Sequence, residues 1–447
     1  MNRFYILIFL IFFLSGCTAI TGHGELLNSF EKTVEKSSCD YSFVEKRVEK
    51  KDDIILWASQ GGILSRDCFD YKKSNYMFDQ AENIYKSDVD LQSNFSKTRS
   101  KTSSILINKN INEYTGNEYE KIMLNTYKGL NSMALNDFED ARVEFNRALD
   151  RQRRAKEYFQ KDIIKAQNRS KEDKNYQKAQ NKQTQKAIYD NYEDIFSGFE
   201  EYSDFVNPYA TYISSLFFLL DKDFSKSRDL LKESLAMQPT NKQIKKDFEL
   251  LDELMGYSKN DKNYAWIIYE NGQSMVKKEI SMSIPLFLFT NDLYYTTLAL
   301  PTLYERDSSY EYIQVENQKS VIIANMDSVI KAEFKKRFPQ IALEATLNSI
   351  VKTYLQYELN QQSPIGGFLG AFYQGLTNKA DIRSWTTLPK NFQSLRVELN
   401  HEPIIIKDDK NRVISTLLVD NNTHVLIYIK SSSRGNVKVH KIIKGRR

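Results

Sequence analysis

The sequence predicts a multidomain chain in which an all-α region of helical hairpins is followed by an α+β domain with mainly antiparallel strands. Three observations predict it. Proline is nearly absent from 25–260, where Pro208 and Pro239 are the only two, and apolar residues recur there at three- and four-residue spacing, the period of amphipathic helix. One arrangement of small and aromatic residues returns three times in that stretch. From about Tyr264 the texture changes to short runs rich in β-branched residues, bounded by Asn-Gly, Asp-Asp-Lys-Asn and Asp-Asn-Asn turns, which read as strands.

The helical region is assigned to 29–260. Its returning pattern is Gly62, Ser74, Phe78 and Ala81; then Gly129, Ala141, Phe145 and Ala148; then Ser215, Ser227, Leu231 and Ser234, each set stepping by 12, 4 and 3 residues. Those are the intervals of a tetratricopeptide repeat (TPR), in which small residues let two helices approach and the aromatic fills the gap between them. TPR-like hairpins are therefore expected. Polar turns at Asp70-Tyr71, Asn136-Asp137-Phe138 and Lys222-Asp223-Phe224 precede the second helix of each unit, and Pro239 falls five residues after Ser234. The units lie 67 and 86 residues apart, so extra helices must fill the gaps. One insert, 160–185, is almost wholly polar and is expected to be a solvated helical arm, the alternative being a partner-binding coil. Antiparallel helices over 40–50 and 53–65 would bring Cys39 and Cys68 to one end of a hairpin. A disulfide is expected there in an oxidising compartment, with two buried free thiols as the alternative. Stacked hairpins leave a concave surface that commonly holds peptides or protein segments, so protein recognition is the expected use, against a pure scaffold.

In the second region, 261–447, strands are expected over 265–269, 279–289, 312–315, 320–324, 395–399, 403–407, 413–419, 424–429 and 437–443. Between them, 328–338 and 340–359 read as two helices separated by Pro339. Asp381, Arg383 and Trp385 would share one side of an extended segment, stopped by Leu388-Pro389. That group either pins the strand against the helices or anchors a partner. The run 365–376 holds Gly366 and Gly370 at GxxxG spacing but is too short to span a bilayer. It reads as a buried turn of helix or as a membrane-dipping or partner-binding element.

The segment Ala380-Asp381-Ile382-Arg383-Ser384-Trp385-Thr386-Thr387-Leu388-Pro389 resembles the Ala-Asp-x-Arg-Ser-Trp-x-x-Leu-Pro signature of a family of uncharacterised bacterial envelope lipoproteins with TPR-like amino-terminal halves. Similar elements follow the same order: the Gly62 hairpin, Tyr119-Glu120, Leu130-Asn131, Asn207-Pro208-Tyr209-Ala210-Thr211-Tyr212, Glu270-Asn271-Gly272 and Ile284-Pro285. The resemblance covers nearly the whole mature chain. It implies architecture and location, supplies no activity, and hints at cell-wall or envelope assembly.

The amino terminus agrees with that location. Met1-Asn2-Arg3 precedes ten apolar residues and then Leu14-Ser15-Gly16-Cys17, a basic start, an apolar core and a small-residue cleavage site. Leu-Ser-Gly-Cys resembles the lipobox of bacterial lipoproteins, so 1–16 is read as a signal peptide, Cys17 as the lipidated residue and 17–28 as a flexible tether. Several acyl chains on Cys17 would anchor stably where one would not. Thr18 stands where an Asp would resemble the inner-membrane retention signal of enteric bacteria; the outer membrane, facing the periplasm, is the expected destination.

Net charge is only +5, from 63 basic and 58 acidic residues, which argues against a nucleic-acid partner and against a strongly polybasic membrane patch. The four histidines, His23, His401, His424 and His440, lack ligand spacing. No nucleophile elbow or phosphate loop is present. No catalytic residue, metal or cofactor is expected. The expected function is a membrane-anchored, non-enzymatic scaffold or adaptor for envelope proteins or peptides. A structural subunit of a secretion or motility machine and a wall-active enzyme are the alternatives, and the oligomeric state is left open.

Overall fold

A computed structural model of the chain describes residues 23–35, 39–90, 114–197, 207–256, 262–287, 293–362, 379–440 and 443–446. Cys17, Gly366 and Gly370 lie outside them.

The helical region contains α1 (His23–Glu35), α2 (Ser42–Glu49), α3 (Ile54–Asp67), α4 (Tyr71–Asp90), α5 (Glu118–Ala134), α6 (Phe138–Lys171), α7 (Tyr176–Ala179), α8 (Lys182–Asp190), α9 (Glu193–Phe196), α10 (Pro208–Leu220), α11 (Phe224–Met237) and α12 (Lys242–Met255). Residues 23–28, expected to belong to a flexible tether, are helical instead. Helix α1 already begins at His23 because Leu27 and Phe30, one turn apart, are buried, Phe30 stacking edge-on against Trp57 of α3 at 5.8 Å.

The pairs α3–α4, α5–α6 and α10–α11 share one turn. In each, a residue in the left-handed region follows the first helix: Phe69 (φ 61°), Asn136 (φ 64°) and Lys222 (φ 62°). The next amide then reaches back to the first helix, Asp70 N to Ser65 O, Asp137 N to Ser132 O and Asp223 N to Phe218 O, the closure that satisfies carbonyls at a helix end. Asp137 and Asp223 next cap the second helix by accepting from Asp140 N and Lys226 N, as an N-cap carboxylate should. The repeated small residues meet where the helices touch. Ser74 Oγ donates to Gly62 O at 2.7 Å and Ser227 Oγ to Ser215 O at 2.8 Å. A methyl group on Gly62 would fall 2.2 Å from the Phe78 ring, and one on Gly129 2.9 Å from Phe145. Ala81, Ala141, Ala148, Leu231 and Ser234 are fully buried beside them.

Cys39 and Cys68 are joined by a disulfide with Cα atoms 5.7 Å apart, tying the chain before α2 to the end of α3.

Strand replaces helix between Met255 and Tyr264. The central sheet runs β11 (Asn436–Val439), β10 (Val425–Ser433), β1 (Tyr264–Asn271), β7 (Asn391–Glu398), β6 (Val321–Asn325), with β12 (Ile443–Lys444) also on β10. It is mixed: β1 pairs parallel with β10, Ala265 opposite Val425, and antiparallel with β7, Tyr264 opposite Glu398. Alternate residues of β1 serve two cores. Trp266 and Ile268 face the helices. Ala265, Ile267 and Tyr269 face a second, four-stranded antiparallel sheet of β5 (Gln318–Lys319), β4 (Gln314–Val315), β8 (Ile404–Lys407) and β9 (Val413–Leu417). The layers are thus helices, mixed sheet, antiparallel sheet. One apolar core runs from Leu27 to Ile443 across the helix-to-strand boundary.

A third core lies under a long hairpin, β2 (Val276–Phe287) with β3 (Leu293–Tyr304), of which the sequence reading missed β3. Against it packs α13, a single helix over Met326–Gln362 with Pro339 inside, not the two helices expected. Proline inside a helix costs about 3 kcal/mol. Here Phe334 and Phe338 before it, and Ala342, Leu343, Leu347 and Ile350 after it, bury into one cluster with Ile284, Leu298 and Leu300, which more than offsets that cost. The polar insert is likewise only partly a solvated arm. Its first part, the end of α6, is exposed. Its second part docks, with Ala179 buried and Thr184 Oγ1 donating to Pro285 O at 2.7 Å, because its few apolar residues fall on one side.

Candidate functional site

The segment 380–389 lies between the helical layer and the central sheet, and neither strand nor helix forms over 380–385. The extended strand expected there is absent, and Leu388-Pro389 precede β7 instead of stopping a strand. The reason is its bonding: side chains of other elements, not a neighbouring strand, satisfy its backbone. Ala380 N donates to Glu279 Oε2, and Trp385 N to Glu120 Oε1 at 2.9 Å.

Arg383 is the centre of the segment, only 2% exposed. It holds Asp381 through Nε and Nη2, both at 2.9 Å, the two-pronged geometry that makes arginine–carboxylate pairs strong. Its third arm, Nη1, reaches Asp53 Oδ1 at 2.7 Å. Asp53 stands at the start of α3 in a left-handed conformation (φ 43°) and also accepts from Tyr114 N. Burial raises the Asp381 carboxyl, but the Arg383 hydrogen bonds and charge, with Lys277 beyond them, hold it down at about 2. Lys277, whose Nζ donates to Arg383 O at 3.3 Å, is pushed down by burial against the pull of Asp381 and Glu120.

Trp385 fills the hairpin surface itself. Its ring lies 5.7 Å from Phe78 and 6.0 Å from Tyr127, and its Nε1 donates to Thr387 Oγ1 at 3.0 Å. Gln60 of α3 ties both threonines, donating to Thr386 Oγ1 at 3.0 Å and accepting from Thr387 Oγ1 at 2.8 Å. Leu388 is fully buried. Beneath this, Asn117 and Glu120 form a capping box at the start of α5, and Glu333 of α13 accepts from the first two amides, Glu118 N at 2.9 Å and Tyr119 N at 3.1 Å. A carboxylate there meets the positive end of the helix.

A second buried cluster lies where α3 and α10 meet the sheet. Arg66 donates to Asn131 Oδ1 at 2.5 Å and faces Tyr428, whose hydroxyl donates to Glu270 Oε1 at 2.5 Å and meets Tyr209 at 2.7 Å. Lys430 pairs with Asp67 at 2.9 Å. Burial opposes Arg66's charge, but Tyr428 and Glu270 outweigh it and raise its pKa. Burial, then Arg66 and Lys430, push His440 well below its ordinary value, so it stays neutral. A third cluster centres on Asp247, fully buried, which accepts from Trp266 Nε1 at 2.9 Å and Tyr212 at 2.7 Å and pairs with Arg396 at 3.1 Å.

Of the other elements in the resemblance, Tyr119, Glu120, Asn131, Tyr209, Tyr212 and Glu270 are all buried, Asn131 between helices through Arg66, Ser74 and Asn75. At Gly272 (φ 61°) a side chain would strike the backbone of Asp307 at 2.8 Å, so only glycine closes that turn. The sequence reading did not find Asp53, Arg66, Glu333 or Lys430, because their partners lie far along the chain. Only Asn117 and Glu120 carried a local signal, the capping-box spacing. Chemically, the clusters hold ion pairs and neutral hydroxyls. Among the described residues no group of three His, Cys, Asp or Glu could hold a metal ion.

Compared with known protein families, curated proteins and solved structures, the chain finds no match.

Proposed function

We propose that this chain is a lipid-anchored protein of the bacterial envelope, tethered through Cys17 to the outer membrane on its periplasmic side, and that it acts as a non-enzymatic scaffold or adaptor for envelope proteins. The leader and its Leu-Ser-Gly-Cys ending support the anchor. The thrice-repeated turn, with its 12, 4 and 3 residue steps, supports TPR-like hairpins, which elsewhere serve protein binding. The observation that carries the reading is the seat of Trp385 and Thr387 on α3, α4 and α5. The chain fills this hairpin face with its own segment, as such a face would hold a peptide, and fixes both layers as one rigid body. Partners then meet its outer surfaces.

Two measurements test this. Labelled palmitate should enter the wild-type chain and not the Cys17→Ser variant; a Cys17→Ser chain that is still cleaved and still resists salt extraction contradicts the anchor. Crosslinking in native membranes, followed by purification, should return a few substoichiometric envelope proteins. A fixed stoichiometric complex would instead identify a subunit of a larger machine, and turnover of purified wall material would identify an enzyme.

A further inference from the structure

Charge is distributed very unevenly along the chain. Residues 151–186, the end of α6 with α7 and α8, hold twelve Lys or Arg against four Asp or Glu, a net +8, whereas the whole chain carries +5. Everything else is therefore net negative, by three charges. Along α6, Arg154, Lys161, Lys165 and Arg169 recur at seven-, four- and four-residue spacing and are all exposed, which places them on one helix face. Arg154 and Lys161 pair along the helix with Asp150 at 3.7 Å and Glu157 at 2.5 Å, whereas among the described residues no carboxylate pairs with Lys165, Arg169 or Lys171. Ile164, at the flank of that face and about 100° round the helix from Lys165, is 54% exposed. From Arg154 to Arg169 this face is about 23 Å long.

Its position matters as much as its charge. The arm leaves the helical layer at the end where α3 and α5 begin: Arg151 Nη1 donates to Lys121 O at 3.0 Å, and Phe159 lies under Arg337, whose partner Glu333 caps α5. The start of α1 is at that same end. Gly24 abuts Ile382, so closely that a methyl group on it would sit 3.3 Å from Cδ1, and the neighbouring Arg383 holds Asp53 at the start of α3. A lipid on Cys17, seven residues before Gly24, would thus hold the arm's end of the molecule nearest the membrane.

We infer that the exposed basic face of α6 docks on the anionic phospholipid headgroups of the membrane to which the chain is tethered, and so sets the orientation of the body on that membrane. A basic helix face with an exposed apolar residue suits a headgroup surface, and attraction acts within a screening length of about 8 Å at physiological salt. The net negative remainder is repelled from the same surface, which turns the arm inward. The proposed membrane is that of the lipid-anchor reading. The arm's affinity, however, can be measured without any lipid on the protein.

The test uses the chain from residue 17 on, with Cys17→Ser, which keeps every described residue and carries no acyl chain. It should sediment with vesicles of phosphatidylcholine containing phosphatidylglycerol and not with phosphatidylcholine alone. Salt that shortens the screening length to about 3 Å should release it. Replacing Arg154, Lys161, Lys165 and Arg169 with Gln should weaken binding by about tenfold or more, with an unchanged far-UV circular dichroism spectrum. A control that removes four exposed charges elsewhere, Lys232, Lys242, Lys245 and Lys246, should change binding by less than about twofold. Equal losses in both variants, or no binding to the anionic vesicles, overturn the inference. Binding to polyglutamate with the vesicles ignored also overturns it and makes the occupant an acidic protein. Palmitate labelling of the wild-type chain reports on the anchor separately.

Discussion

At the seam between layers, Arg383 is 2% exposed and engages two carboxylates; on the arm, Arg169 is exposed and engages none among the described residues. Both are arginines of one chain, yet one locks the fold and the other leaves its charge to the surroundings. The difference is solvation. Buried charge must be matched by partners or it destabilises the protein severely, whereas exposed charge costs almost nothing and adds almost nothing to stability. Mutation should therefore damage the seam through stability and the arm through binding alone.

Arg383→Ala tests the seam hardest. It leaves Asp53 and Asp381 without their buried partner and should cost about 3–5 kcal/mol, read by urea unfolding. A loss below about 1 kcal/mol would reduce the network to surface-like pairs. The same pair sets an acid limit. Because Asp381 is held at about 2, below its ordinary 3.8, its contribution is complete above pH 3.8 and is lost as pH falls toward 2. Glu82, likewise held at about 2 by Lys128 and Arg151 against the upward push of burial, adds to that loss. Stability should fall steeply through this window, and Asp381→Asn should flatten the fall.

Next in size is the disulfide. Reducing it, or making Cys39→Ser with Cys68→Ser, frees a loop with ends 29 residues apart, worth about 3–4 kcal/mol in the chain-entropy model. Denaturant midpoints with and without reductant measure it. Smaller still, Gly62→Ala puts a methyl group 2.2 Å from Phe78 and should cost about 1–3 kcal/mol by overpacking; Gly129→Ala, with 2.9 Å to Phe145, should cost less. If the order reverses, the two hairpins do not close in the same way. Smallest is the arm: the fourfold Gln variant should change unfolding free energy by less than about 0.5 kcal/mol.

What the sequence made legible follows from the range of each interaction. The hairpins were legible because a helix pair joined by a short turn writes its contacts at fixed offsets, as Gly62 with Ser74 and Ser215 with Ser227 do. The disulfide was legible for the same reason. Strand β3 was not, since its Leu-Tyr-Tyr-Thr-Thr start and Pro301 gave no clean alternation, and its partner β2 fixes it. Pro339 suggested a break that burial on both sides overrode. Arg383, Trp385 and Asp381 stood out as a group, but their contacts with Asp53 and Glu120, about 330 and 265 residues away, did not. The arm was legible as a polar insert, but its charge was hidden by averaging, because a net +5 over 447 residues conceals +8 over 36.

The seam joins helices and sheet into one cooperative unit. Native-state hydrogen exchange tests it most directly, comparing α3 (Ile54–Asp67) with β10 (Val425–Ser433). The slowest amides of both should exchange through the same opening, with equal free energies and equal dependence on denaturant. Exchange of α3 through a separate, lower-energy opening while β10 stays protected would contradict it.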